Sequence, residues 1–282
     1  MNLCAPGVLR VSPFFSPDSA PARSDRKREI VVCGDARIEV IAEGAGPLVV
    51  LLPSRGRDSE DYDEVAAGIA KAGYRVLRPQ PRGTCRSTGP MKRLTLHDYA
   101  RDVAAVIGHA GGGPAVVAGH AFGNWVARMT AADHPRLVRG VVILAAAAKT
   151  YPKALAEAVT RSADVTLPDA ERLKYLRATF FAPGHDASVW LKGWYPEVNE
   201  SQFAAGLATK QSEWWSAGNA PLLDLQAALD PFKPRGTTNE LRDELGERVT
   251  IAVIPGASHA LIPEQPAAVI EAIVAWMRKL TR

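Results

Sequence analysis

The sequence predicts an α/β protein: a mostly parallel, doubly wound sheet with a helical cap inserted after the strand at 138–145. Three observations carry this. From Glu29 onward short apolar runs alternate with stretches of helical period, which implies right-handed crossovers and a parallel sheet. The alternation is suspended between about Lys149 and Ser216, where several helices follow one another, and it resumes at Pro221. Between these parts, the run Ala115 to Ala118 stops at Gly119 and a helical segment begins just after Gly123, which reads as strand, sharp turn, helix.

The expected organisation is a flexible arm over 1–27, a core from 28–148 and 217–282, and a cap over 149–216. Residues 1–27 are rich in Pro, Ser and charge, a composition that packs poorly. Glu29 to Cys33 and Arg37 to Ala42 read as strands of a hairpin turning at Gly34-Asp35. Gly44 to Pro47 turns the chain into Leu48 to Leu52, a continuous apolar run suited to a strand buried on both faces. Asp61 to Ala72 has helical spacing through Tyr62, Val65, Ala66 and Ile69, and stops at Gly73. Tyr74 to Leu77 is the next strand, Pro79 to Thr88 a loop, and Leu96 to Ala110 a helix. Val138 to Ala145 is a further strand. After the cap come a strand at Pro221 to Ala227, a loop through Asp230-Pro231, a helix at Thr238 to Leu245, a strand at Val249 to Ile254, and a closing helix at Pro266 to Leu280.

Composition narrows the functional classes. The net charge is +4, with Lys and Arg dispersed, so nucleic-acid binding has little support. No apolar run approaches the ~20 residues needed to cross a bilayer. Cys4, Cys33 and Cys85 have no metal-ligand spacing and cannot all pair, which points to a reducing, cytoplasmic setting. No bound metal or organic cofactor is implied: there is no ligand cluster, and Gly111-Gly112-Gly113 precedes a strand instead of opening a helix over a phosphate. The expected partner is a small-molecule substrate; oligomeric state is not readable.

Doubly wound sheets bind ligands at the carboxyl ends of their strands. Five strand-end patterns carry a resemblance. They are Leu51-Leu52-Pro53-Ser54; Pro81-Arg82-Gly83-Thr84-Cys85-Arg86-Ser87; Gly119-His120-Ala121-Phe122-Gly123; Asp230-Pro231; and Gly256-Ala257-Ser258-His259. In this order and spacing the chain, from about Glu29 to its end, resembles the capped α/β-hydrolases. Gly119 to Gly123 matches their nucleophile elbow G-x-S-x-G, with Ala121 where the serine stands.

The resemblance implies roles. Ala121 occupies the nucleophile position, His259 that of the base and Asp230 that of the acid orienting it, in the expected chain order. Asp224 is the second choice of acid, since it lies within a strand. The amide of Phe122, with that of Ser54 or Arg55, would form the oxyanion site. Many relatives carry His-Gly after the strand matching Leu48 to Leu52; here Pro53-Ser54-Arg55-Gly56-Arg57 follows. Ser54 brings a hydroxyl near the missing nucleophile, although its commoner role would be to cap the following turn. Arg55 or Arg57 would favour an anionic substrate group. His120, inside the elbow, is expected to pack structurally, and Cys85 to fill space. The cap's aromatics, Trp190, Trp194, Trp214 and Trp215 among them, are expected to line an apolar pocket while building the cap's own core.

Three readings of Ala121 stay open: an engineered replacement of serine in an ester or lactone hydrolase acting on a small apolar substrate; a native alanine, with His259 and Ser54 activating water or abstracting a proton in a lyase; or a catalytically silent small-ligand binder. A retained Asp-His pair argues against the last, which has no use for one.

Overall fold

A computed structural model describes residues 26–111 and 113–280. The arm expected over 1–27 lies outside them save for its last two residues, and Lys27 already belongs to the first strand. Among the described residues eight strands form one sheet: β1 (Lys27–Cys33), β2 (Ala36–Glu43), β3 (Leu48–Leu52), β4 (Arg75–Pro79), β5 (Ala115–His120), β6 (Val138–Leu144), β7 (Leu222–Ala227) and β8 (Val249–Ile254). Their spatial order is β1-β2-β4-β3-β5-β6-β7-β8. β1, β2 and β4 pair antiparallel, and every pairing from β4 through β3 to β8 is parallel.

The helices, in chain order, are α1 (Asp63–Lys71), α2 (Leu96–His109), α3 (Phe122–Asp133), α4 (Ala154–Ala163), α5 (Asp169–Thr179), α6 (Pro196–Ala208), α7 (Gln211–Trp214), α8 (Glu240–Leu245), α9 (Leu261–Glu264) and α10 (Pro266–Met277). The central strands are buried on both faces, and successive side chains go to opposite layers. Val50, Val117 and Ile143 pack with α2 and α3. Val49, Leu51, Val116 and Val142 pack with α1 and α10. Both faces are thus covered, as a parallel sheet requires. α1 starts later than its periodicity suggests, because Asp58 accepts the Glu60 amide at 2.9 Å and shapes Ser59–Tyr62 into a 3-10 turn first. None of the described helices is long and apolar enough to cross a membrane.

Helices α4 to α7 fall within 149–216, the segment expected to form the cap, and contact the loop after β3 and the start of α2. Hydrogen bonds seat it. The Thr209 hydroxyl at the end of α6 accepts the first amide of α2, from Leu96, at 2.9 Å. The Gly56 amide donates to Gln202 Oε1 on α6 at 2.7 Å, and the Tyr195 amide to the Gly56 carbonyl at 2.8 Å.

A further seat depends on pH. His97 on α2 lies 2.7 Å from Asp133 at the end of α3 and 3.1 Å from Glu213 on α7. The bond to Asp133, and secondarily that to Glu213, raises the His97 pKa above its ordinary 6.5, against the opposing effect of burial. A raised folded-state value means this contribution is complete below pH 6.5 and is lost as pH climbs through the raised value. The groups are partly exposed, so the effect is modest and salt-sensitive. The melting temperature is expected to fall more steeply across pH 6.5–8.5 for the native chain than for His97→Gln. Parallel curves would show that the contact contributes nothing.

Candidate active site

The parallel register brings the ends of β3, β5, β7 and β8 to one edge, and the loops that follow them meet there. Ala121 forms the tip of the turn between β5 and α3, with φ +47° and ψ −112°. This is a strained conformation for a residue with a Cβ, costing about 1–3 kcal/mol. It persists because the surroundings hold it. The Ala121 amide donates to the Leu144 carbonyl at 3.0 Å, and the Asn124 amide donates to the Ala121 carbonyl at 3.1 Å. A Cβ on Gly119 would collide with the Gly123 carbonyl, and one on Gly123 would stand 2.5 Å from the Pro53 carbonyl oxygen. The two glycines are therefore required by backbone packing, and the sharp turn is held with Ala121 at its tip.

His259 and Asp230 meet beside it. His259 Nδ1 lies 2.9 Å from Asp230 Oδ2, with both residues buried. Three hydrogen bonds zip their loops together: the Ala228 amide to the Ile254 carbonyl at 3.0 Å, the Leu229 amide to the Ala257 carbonyl at 2.9 Å, and the Ser258 hydroxyl to the Leu229 carbonyl at 3.1 Å. The second carboxylate oxygen of Asp230 accepts the Phe232 amide at 2.8 Å, which fixes the acceptor's direction. Asp224 is not the partner. It stays inside β7, where it takes a hydrogen bond from Gln226 at 2.8 Å and faces Lys233 Nζ at 3.4 Å.

His120 is fully buried, and its Nε2 donates to the His259 carbonyl at 2.7 Å, tying the elbow strand to the histidine loop. Burial, with the neighbouring His259, pushes the His120 pKa down to about 3, so it remains neutral at any working pH. Its packing role agrees with expectation; its bond to the His259 loop had no sequence signal.

The loop after β3 divides its work. The Gly56 amide is taken by Gln202 and the Arg57 amide by the Ser54 carbonyl at 3.3 Å. Among the described residues the amides of Ser54, Arg55 and Phe122 have no acceptor, and the Ser54 hydroxyl has no hydrogen-bond partner. Ser54 thus bonds the following turn through its backbone, not its side chain. Arg57 does not offer a charge to a substrate. Its guanidinium is held by Asp61, with Nη2 to Oδ1 at 2.6 Å, and lies between the Trp190 and Trp194 rings at 4.6 and 4.7 Å. An acid four residues on, at the start of the helical stretch, neutralises it.

The cap's aromatics split in the same way. Trp190 and Trp194 are buried with Phe180, Phe181 and Phe232 in a small core behind the histidines. Stacking on Arg57 and packing against Phe180 consume their surface. Phe232 and Phe180 wall His259, with ring centroids 4.4 and 5.5 Å away. Trp214 and Trp215 do line a cleft of about 210 Å³, together with Trp125 and Tyr151. Sequence reasoning missed Glu264 on α9. Its carboxylate accepts the Ser258 amide at 2.6 Å and the Ala182 amide, binding the histidine loop to the cap. Burial pushes its pKa up, and those amide donors oppose the shift. An acid amid Leu261-Ile262-Pro263 was the available signal.

Comparison with known proteins agrees with this architecture. A family model described as alpha/beta hydrolase fold matches residues 47–266. The chain is 32% identical over 117 residues to the pyrrolizixenacetamide deacetylase of Xenorhabdus hominickii, a match covering 41% of this chain and 44% of that protein, less than half its length. It is 25% identical over 224 residues to a non-heme haloperoxidase of Rhodococcus erythropolis, covering 72% and 82% of the two chains. Its fold is similar to the crystal structure of E-2-(acetamidomethylene)succinate hydrolase, with a TM-score of 0.76 at 20% identity over 90% of this chain and 99% of that one.

Proposed function

The chain belongs to the alpha/beta hydrolase fold family, and from that premise we propose that it hydrolyses an ester, lactone or similar acyl bond of a small substrate, with water as the attacking group. The observation that carries this reading is the buried 2.9 Å contact of His259 with Asp230 beside an elbow that has kept its strained form around Ala121. A fold retaining both the strain and the acid-base pair has a use for them.

With Asp230 accepting from Nδ1, the free Nε2 of His259 is the basic nitrogen. Water attacks the acyl carbon while its proton passes to Nε2. The amide of Phe122, with that of Ser54 or Arg55, holds the resulting oxyanion; one such donor is worth about 100- to 1,000-fold in rate. Collapse of the tetrahedral intermediate breaks the bond to the leaving oxygen, which takes the proton from His259. Ala121 supplies no hydroxyl, so no acyl-enzyme forms and turnover is slow. The unpaired Ser54 hydroxyl is the feature that favours a second reading, in which it orients the water or the reacting group.

Ala121→Ser tests the assignment on short aryl esters and lactones. The variant is expected to raise esterase turnover above the native chain and to give an acyl adduct visible by intact mass. If neither the native chain nor Ala121→Ser turns over any of these substrates, the reading fails.

A further inference from the structure

The buried carboxamides of this chain are used unequally. Asn124 donates to the Ala121 carbonyl, and Gln226 donates to Asp224 at 2.8 Å and to the Thr238 carbonyl at 2.7 Å. Gln80 and Gln202 give only their oxygens. Gln80 Oε1 accepts the Ser59 amide at 2.9 Å, and Gln202 Oε1 accepts the Gly56 amide at 2.7 Å. A backbone amide can only donate, so each contact turns the side-chain oxygen towards the loop after β3 and the nitrogen away from it. Gln80 Nε2 is thereby buried with no hydrogen-bond partner among the described residues. Gln202, also buried, bonds through its oxygen alone.

A buried amide donor without an acceptor costs enough that folds pair nearly all of them, with protein or with water. Gln80 cannot swing away to find one. Its backbone amide donates to the Glu39 carbonyl at 2.8 Å, and its carbonyl accepts the Ser87 hydroxyl at 2.9 Å. Both glutamines line one cavity of about 40 Å³, with Pro53, Phe122 and Gly123 on its wall beside the elbow. The cavity lies between core and cap, because Gln80 follows β4 and Gln202 belongs to α6. Every residue lining it except Pro81 is buried. A buried water needs about 10–15 Å³ of such space and two to four polar partners. There is room for at least one.

The lining suits water and not an ion. Tyr99 and Asp102 on α2 also line the cavity and carry acceptor oxygens. The Tyr99 hydroxyl lies 3.0 Å from that of Ser201, and Asp102 holds Arg82 by two bonds of 2.7 and 2.9 Å. Two neutral donors beside a carboxylate do not balance an anion, and amino groups turned inward disfavour a cation. A water both accepts and donates. We infer that this cavity is a bound-water site: water accepts from Gln80 and Gln202 and joins the cap to the core behind the loop after β3. The Gly56 and Ser59 amides rest on the two carboxamides that the water ties together, so it braces the segment carrying Ser54 and Arg55. The binding is independent of the hydrolytic reading; only a benefit to an oxyanion rests on it.

A crystal structure of the full chain is expected to show water within about 3.2 Å of Gln80 Nε2 and of Gln202 Nε2. A cavity without water density overturns the inference. In solution, oxygen-17 relaxation dispersion counts long-lived buried waters, and the native chain should hold more of them than Gln202→Met, which keeps the side-chain length but neither donates nor accepts as an amide does. If that variant fails to fold, Val103→Ile takes its place, since it adds a methylene at the cavity wall and leaves both glutamines intact. Equal counts in the native chain and the folded variant overturn the site. Amide exchange at Gly56 and Ser59 should quicken in Val103→Ile by about 2- to 10-fold, the worth of one hydrogen bond, although both acceptors remain. Unchanged exchange with the water displaced would show that it braces nothing. None of these measurements reads turnover, so a failed water site and a failed hydrolytic mechanism give different results.

Discussion

His259→Gln is expected to lower kcat/KM on any substrate the native chain turns over by about 100- to 10,000-fold, the usual worth of a positioned general base. Gln is the informative choice because its amide can still donate to Asp230, whose buried Oδ2 would otherwise lose its 2.9 Å partner. His259→Ala leaves that oxygen without a donor and adds a stability loss of about 1–3 kcal/mol, so the two variants separate folding from proton transfer. The comparison is read in steady-state kinetics beside thermal melts. A Gln variant with native turnover would remove His259 from the mechanism, and the Asp230 contact would then be structural.

Gly123→Ala is expected to destabilise the fold by about 3–5 kcal/mol, in the range reserved for severe backbone or core conflict. The added methyl would stand 2.5 Å from the Pro53 carbonyl oxygen and closer still to that of Leu52, and both are backbone atoms that cannot rotate away. Relief requires β3 or the start of α3 to move, which would open the elbow and displace the amides of Ser54 and Phe122 together. Urea unfolding should therefore show the loss in stability, and Ala121→Ser placed on this background should gain no esterase activity. A melt within about 0.5 kcal/mol of native, the scatter expected for neutral substitutions, would show that the elbow tolerates the methyl and that its tightness is not what fixes the site.

Much of this was legible in the chain. The continuous apolar run Leu48 to Leu52 became a strand buried on both faces, and Val249 to Ile254 a strand with the expected bounds. Period and punctuation work for such segments because local preference and burial agree. The turn at Gly119 to Gly123 was legible from its glycine spacing: Gly119 is needed by a contact four residues on, while Gly123 is needed by the carbonyls of Leu52 and Pro53 on the neighbouring strand's end. The pairing of Asp230 with His259 was reached through chain order. Its geometry depends on β7 and β8 being neighbours in the sheet, with their exits in register at Ala227 and Ile254.

Where the reading strayed, a partner came from elsewhere or a surface was already occupied. Trp190 and Trp194 were expected around a ligand and are spent on Arg57 and on a core behind the histidines. Arg55 and Arg57 looked alike in the sequence, yet Arg57 is held by Asp61 between two Trp rings, whereas Arg55 lies over the Phe203 ring. Glu264 received no role from its position, yet it joins the histidine loop to the cap through the amides of Ser258 and Ala182.

The sequence by itself determined the alternating strands and helices, the elbow with Ala121 at its tip, and the residue types available at each strand end. Those follow from periodicity, from backbone sterics and from chain order, all of which are written locally. Tertiary structure alone decided which charges are neutralised, which aromatic faces remain free, and which strand-end amides are left without an acceptor. Each of these depends on the partner a group finds across the fold, often over a hundred residues away, as Gly56 finds Gln202 and His120 finds His259.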